Sequence, residues 1–214
     1  MSSSTRWSHA ERTSVARGLR GWSSAAALSA ALLLSALAGS AVASTQQVAT
    51  APASTASVAP DHVRRYIDDA RTLGGGRLTW FGLHIYDALL FVPRAFDSAN
   101  PSAQPFALEL AYARSLDGQA IAERSHDEIA RLKIGNEAQR TRWLADMSAL
   151  FPDVKAGQRL AGIYRPGGGT RFYLDGRYLG EVADPEFGRA FFAIWLDPRT
   201  SAPQLRASLL RSLN

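Results

Sequence analysis

Downstream of residue 60 the apolar residues change rhythm in blocks, and each block predicts an element. Asp61-His62-Val63-Arg64-Arg65-Tyr66-Ile67 reads as a short helix. From Leu73 the pattern becomes extended. Leu73-Gly74-Gly75-Gly76-Arg77-Leu78-Thr79-Trp80-Phe81 leads through Gly82 into Leu83-His84-Ile85-Tyr86-Asp87-Ala88-Leu89-Leu90-Phe91-Val92. β-Branched and aromatic residues on both sides of a glycine predict two paired strands, which Pro93 ends. A third strand is expected over residues 106–114, with Phe106, Leu108, Leu110 and Tyr112 on one face.

The period then shifts to that of helices. Asp117 can cap one that turns Ile121, Ile129 and Leu132 inward. Asn136 can cap a second, where Trp143, Leu144, Met147, Leu150 and Phe151 form one stripe before Pro152. Residues 158–182 return to strands, divided into three by Pro166-Gly167-Gly168-Gly169 and by Asp175-Gly176, a strong hairpin signal. Asp184-Pro185-Glu186 opens a helix that buries Phe187, Phe191, Ile194 and Trp195. A last helix starts near Ser201, with Gln204 as its capping-box partner and Leu205, Leu209 and Leu213 packing it down. Three strands, two helices, three strands and two helices give an α+β fold: an antiparallel β-sheet covered on one face by helices.

The first 60 residues follow a different pattern. Arg6, Arg12, Arg17 and Arg20 precede an uncharged, alanine- and leucine-rich run over residues 25–38, which closes on Ala41-Val42-Ala43. A basic region, a short apolar region and an Ala-x-Ala site in that order predict a cleavable signal peptide over residues 1–43, with cleavage near Ala43 and export to the periplasm. The apolar run is shorter than the ~20 residues that a bilayer core requires, so no stable membrane insertion is expected after its removal. Residues 44–60 are small and polar without apolar period and read as a disordered linker, leaving residues 61–214 as one domain.

Charge and composition narrow the function. The leader arginines supply most of the formal net charge of +5. The remainder is only weakly basic, which argues against nucleic acid as a partner. The absence of cysteine excludes disulfides, thiolate metal sites and a cysteine nucleophile. His9, His62, His84 and His126 show no metal-ligand spacing, so no metal is expected, and His84 reads as a locally hydrogen-bonded strand residue. Gly74-Gly75-Gly76 has no following Lys-Ser/Thr and no helix, so it reads as a bulge or a close backbone approach, not a phosphate loop. No G-x-S-x-G elbow is present. Arg77 and Tyr86 stand out because each interrupts an apolar β-segment, where a polar head must find a partner if it faces inward. Tyr112 and Arg114 on the third strand raise the same question.

Five blocks in order carry a resemblance. Gly74-x-Gly76-Arg77 followed by Ile85-Tyr86-Asp87-Ala88-Leu89-Leu90-Phe91-Val92, then Phe151-Pro152-Asp153-Val154-Lys155-x-Gly157, then Gly169-Thr170-x-Phe172-Tyr173-Leu174-Asp175-Gly176, then Phe187-x-x-Ala190-Phe191-Phe192-x-Ile194-Trp195-Leu196, and a Leu205-Arg206-x-x-Leu209-Leu210 tail resemble chalcone isomerase-like proteins, in particular their bacterial, signal-bearing branch. The resemblance implies a broad antiparallel sheet with helices on one face and a ligand cleft between them. It also implies chemistry without a cofactor. Plant isomerases of the family close an enone using an arginine and hydroxyl side chains, and fatty-acid-binding relatives use an arginine and a tyrosine to hold a carboxylate. Carried over, Arg77 matches the family arginine. Tyr86 falls where the isomerases have threonine and the fatty-acid binders have tyrosine.

The expectation is therefore a binding protein for a small amphipathic or aromatic ligand, its anionic head met by Arg77 and Tyr86, with Tyr112 and Arg114 as further contacts. The alternatives are a cofactor-free isomerase acting through Arg77 and Tyr86, and a non-catalytic periplasmic interaction protein.

Overall fold

The computed structural model describes residues 59–211. The signal peptide expected over residues 1–43, most of the expected linker and Leu213 lie outside the described residues. A short helix α1 (Asp61–Arg64) precedes strands β1 (Arg71–Trp80), β2 (Leu83–Val92) and β3 (Phe106–Tyr112), with a 3₁₀ turn at Pro101–Ala103. Helices α2 (Gly118–Arg131) and α3 (Glu137–Leu150) follow, then β4 (Arg159–Tyr164), β5 (Thr170–Leu174) and β6 (Arg177–Val182), and finally α4 (Pro185–Leu196) and α5 (Pro203–Leu209). The strands form one six-stranded antiparallel sheet in chain order, β1 to β6. This is the α+β architecture expected from the patterning.

Local chemistry starts the helices where the sequence placed them. Asp117 accepts from Ala120 N at 3.0 Å, and Asn136 and Gln139 exchange both bonds of a capping box. Asp184 accepts from Glu186 N at 2.9 Å, ahead of Pro185 in the first turn of α4. The capping box expected at Ser201 does not form. Pro203 has no N–H and a fixed φ, so it takes the first helical position and Ala202 becomes the cap residue. That places Gln204 one position too early to reach back.

The inner face of the sheet carries Ala88, Leu90, Phe106, Leu108, Leu110, Leu160 and Phe172, packed against Trp143 and Met147 of α3 and Phe187, Phe191 and Trp195 of α4. On the outer face, Val63 and Ile67 from the α1 segment cover Phe91, Ala107, Ala161, Ile163 and Tyr173. Burial on both faces explains why β2 reads as a nearly continuous apolar run instead of alternating. The triple glycine is a close approach. A Cβ on Gly74 would lie 2.3 Å from the Ser208 carbonyl oxygen, and one on Gly76 would lie 2.9 Å from Leu205 and Ser208. These two glycines let α5 rest directly on the edge strand β1.

His62 docks α1. Its ring stacks on Tyr173 at 5.0 Å, and Nε2 lies 3.9 Å from Oε2 of the buried Glu109, which also accepts from Arg159 Nη1 at 2.6 Å. Burial lowers the His62 pKa from 6.5, against the opposing pull of Glu109 and Asp61. The unfolded chain therefore takes up the proton first as pH falls, and the fold loses stability below about pH 6.5. A thermal-melt series from about pH 7 to about pH 5 should show a falling midpoint, with His62→Gln flattening that part of the profile.

Candidate functional site

Between the inner face and the helices lies a cavity of about 870 Å³, within the range of small-molecule sites. Its floor is Tyr86, Leu110, Tyr112 and Leu160. The walls are Ile121, Ser125 and Glu128 from α2, Phe191, Ile194 and Trp195 from α4, and Phe151 and Leu205. The exposed side chains of Arg77, Thr79, Trp80, Arg124, Ser201 and Gln204 ring the mouth.

Tyr86 and Tyr112 meet on the floor. They are register partners across β2 and β3, so the pleat turns both to the same face, and their rings meet edge to face at 5.9 Å. The Tyr86 hydroxyl accepts from Trp195 Nε1 at 2.9 Å and keeps its own proton to donate. The Tyr112 hydroxyl makes no hydrogen bond among the described residues. Burial pushes the Tyr86 pKa up to about 12, partly offset by the Trp195 bond. Burial raises that of Tyr112 as well, and neighbouring Tyr86 adds to the effect. Both phenols stay neutral at physiological pH, two donors lining a largely apolar cavity.

Arg77 borders the cavity, but its guanidinium lies elsewhere. Nε donates to Asp87 Oδ1 at 2.8 Å with 59% of the side chain exposed, and Asp87 Oδ2 lies 3.2 Å from His84 Nε2. Arg77 holds the Asp87 carboxyl below its usual range. Register is the reason. Trp80 pairs with Leu83 and Thr79 with His84 across the Phe81–Gly82 turn, and a regular hairpin would then set Arg77 opposite Tyr86. One extra residue in β2, Ile85, interrupts the ladder, so Leu78 faces Tyr86 and Arg77 faces Asp87 on the outer side. Arg114 is not part of the lining either. β3 ends at Tyr112, Ala113 N donates to Ile85 O, and Arg114 sits in the bend beyond. The structure thus brings Tyr86 and Tyr112 together, leaves Arg77 at the rim and places Arg114 outside.

Trp195, Glu128, Arg124 and Ser125 bring polar groups to the lining that were not assigned to the site from the sequence. Trp195 orients Tyr86. Glu128, with 6% of its side chain exposed, accepts from Arg124 Nη2 at 2.5 Å and Arg131 Nε at 2.8 Å. Arg124 also lies over the Trp80 ring, 4.5 Å from its centroid. Ser125 donates to the Ile121 carbonyl. The available signal was the inward stripe of α2, Ile121, Ser125, Glu128 and Leu132, where two polar residues occupy apolar positions. Among the described residues no three His, Cys, Asp or Glu side chains group to hold a metal.

Comparison with known proteins agrees with this architecture. A Haemophilus influenzae protein, described only as uncharacterized, is 31% identical over 138 residues, 64% of this chain and 66% of that protein. The chain thus spans a little under two thirds of that relative. Among solved structures, a fatty-acid binding protein of Arabidopsis thaliana superposes with a TM-score of 0.53 at 14% identity, over 67% of this chain and 87% of that one. That likeness is one of fold. The model of the family described as chalcone isomerase-like matches residues 73–211, from the first long strand to the last helix. With sheet order, helix placement and sequence blocks in agreement over that span, the chain belongs to the chalcone isomerase-like family.

Proposed function

We propose that the domain binds one small amphipathic molecule, with its apolar body in the cavity and a polar oxygen held by Tyr86 and Tyr112. The observation that carries this reading is the pair of neutral phenols with free protons on the floor of a largely apolar cavity, whose walls also hold Ser125 and the Arg-paired Glu128. A ligand oxygen in the cavity would accept from these hydroxyls, and a hydrogen bond to a charged acceptor contributes about 1.5–3 kcal/mol. A carboxylate or carbonyl meets that need, and the surrounding Leu110, Leu160, Phe151, Phe191 and Ile194 suit an acyl or aromatic body. The fold shared with a protein named for fatty-acid binding supports the same class of ligand. The leader pattern over residues 1–43 supports a periplasmic location.

Cofactor-free isomerisation is the second reading, because paired neutral phenols also stabilise an enolate oxygen. Against it, the arginine that would act as electrophile stands at the rim, bonded to Asp87 and largely exposed. Absorbance of a chalcone incubated with the protein tests this reading directly: a decay abolished by Tyr112→Phe would favour it.

Native mass spectrometry of the protein purified from an exporting host tests the binding reading. A small adduct of one per chain is expected, reduced in Tyr112→Phe. Chains that remain adduct-free, even after incubation with acyl carboxylates and aromatic amphiphiles, would count against the proposal.

A further inference from the structure

The tip of the β1–β2 hairpin is apolar, aromatic and exposed. Trp80, Phe81 and Leu83 are 46%, 91% and 52% exposed, side by side at one end of the sheet. Phe81 adopts φ +47 and Gly82 φ +76, so both central residues of the two-residue turn are left-handed. Such turns favour Asn-Gly, since asparagine tolerates the left-handed region and is at home in water. Phenylalanine meets neither requirement here, and its one aromatic neighbour is Trp80, edge-on at 5.6 Å. Folding gains little from this side chain, which points to a surface outside the molecule.

We infer that this tip docks on an anionic phospholipid bilayer and seats the cavity mouth against it. The inference rests on the ligand-binding reading, because the tip and the mouth coincide: Thr79 and Trp80 belong to both. An amphipathic ligand resides in a bilayer, and a mouth seated there receives it without a passage through water. The charges match a lipid surface. Arg124 stacks over Trp80 and shares the buried Glu128 with Arg131, while Arg77 is matched by Asp87. The Arg124–Glu128–Arg131 group beside Trp80 thus carries one net positive charge. Tryptophan and phenylalanine beside arginine are the side chains that settle at the headgroup level of a membrane.

The test uses the full chain as an exporting host delivers it, with Phe81→Asn as the variant, because asparagine suits the turn and should leave the thermal midpoint unchanged or raised. Co-sedimentation with vesicles of mixed phosphatidylethanolamine and phosphatidylglycerol should show the wild type in the pellet and the variant about tenfold weaker. Binding of a soluble fluorescent fatty acid without vesicles should be equal in the two. Tyr112→Phe should show the reverse, weak for the fatty acid and unaffected for vesicles. Equal pelleting of wild type and Phe81→Asn would overturn the docking inference. So would a Phe81-dependent dimer that ignores vesicles, since it would assign the tip to a second copy of the chain. Phe81-dependent pelleting by a protein that binds no fatty acid would uphold the docking surface and sink the ligand reading instead.

Discussion

Replacing both Tyr86 and Tyr112 with phenylalanine should weaken binding of an acyl carboxylate by about two orders of magnitude. Each phenol offers a neutral donor in a low-dielectric space, and a hydrogen bond to a charged acceptor contributes about 1.5–3 kcal/mol. Two such bonds correspond to roughly a hundredfold or more in affinity. The rings touch, so the single substitutions should not add simply. The two singles should also differ in stability. Tyr86→Phe leaves Trp195 Nε1 without its acceptor and should lower the unfolding free energy by about 1–3 kcal/mol. Tyr112→Phe removes a hydroxyl that bonds to nothing else among the described residues and should be close to neutral for folding. Displacement titration against a fluorescent fatty acid, paired with thermal melts, separates these effects. Wild-type affinity in Tyr112→Phe would remove this phenol from the site.

The largest effect on folding is expected at Trp143. Its side chain is 1% exposed, it donates from Nε1 to Asp184 Oδ2 at 2.8 Å, and it meets Phe187 edge-on. Asp184 is also the cap of α4, so this one side chain ties α3 to the start of the helix that builds a wall of the cavity. Gly135 lies directly against the indole, where even a Cβ would come within 2.7 Å of the ring. Truncation to alanine should cost about 3–5 kcal/mol, the usual range for a buried large aromatic. That is a large share of the about 5–15 kcal/mol that holds such a domain together. Trp143→Phe should lose less, about 1–2 kcal/mol, mainly the Asp184 bond. Urea unfolding should show a lower midpoint with an unchanged slope. A change under 1 kcal/mol for Trp143→Ala would contradict the packing described (about the scatter of surface substitutions).

What could be read in the sequence was whatever is decided over a few residues. Asp117, Asn136 and Asp184 cap helices because a short side chain reaches its own first turn, and Asp175-Gly176 makes a hairpin because aspartate and glycine take its left-handed geometry at low cost. The cross-strand pair Tyr86–Tyr112 followed from none of these, since it depends on the register between strands separated by a long loop. The placement of Arg77 depends on a single inserted residue. Counting back from the Phe81–Gly82 turn puts it beside Tyr86, and the bulge at Ile85 reverses its face. Composition gives no sign of such a bulge. Glu128 was hidden for another reason: its burial is tolerated only because Arg124 and Arg131 converge on it.

The central claim is that this cavity takes an apolar body and its phenols take a polar head. Isothermal titration calorimetry of the purified protein with an acyl carboxylate, run at two temperatures, tests it most directly. The account predicts saturable binding of one molecule per chain, a negative heat-capacity change from apolar burial, and loss of the heat in the Tyr86/Tyr112 double variant. Absence of saturable heat at either temperature, or binding that the double variant retains in full, would contradict it.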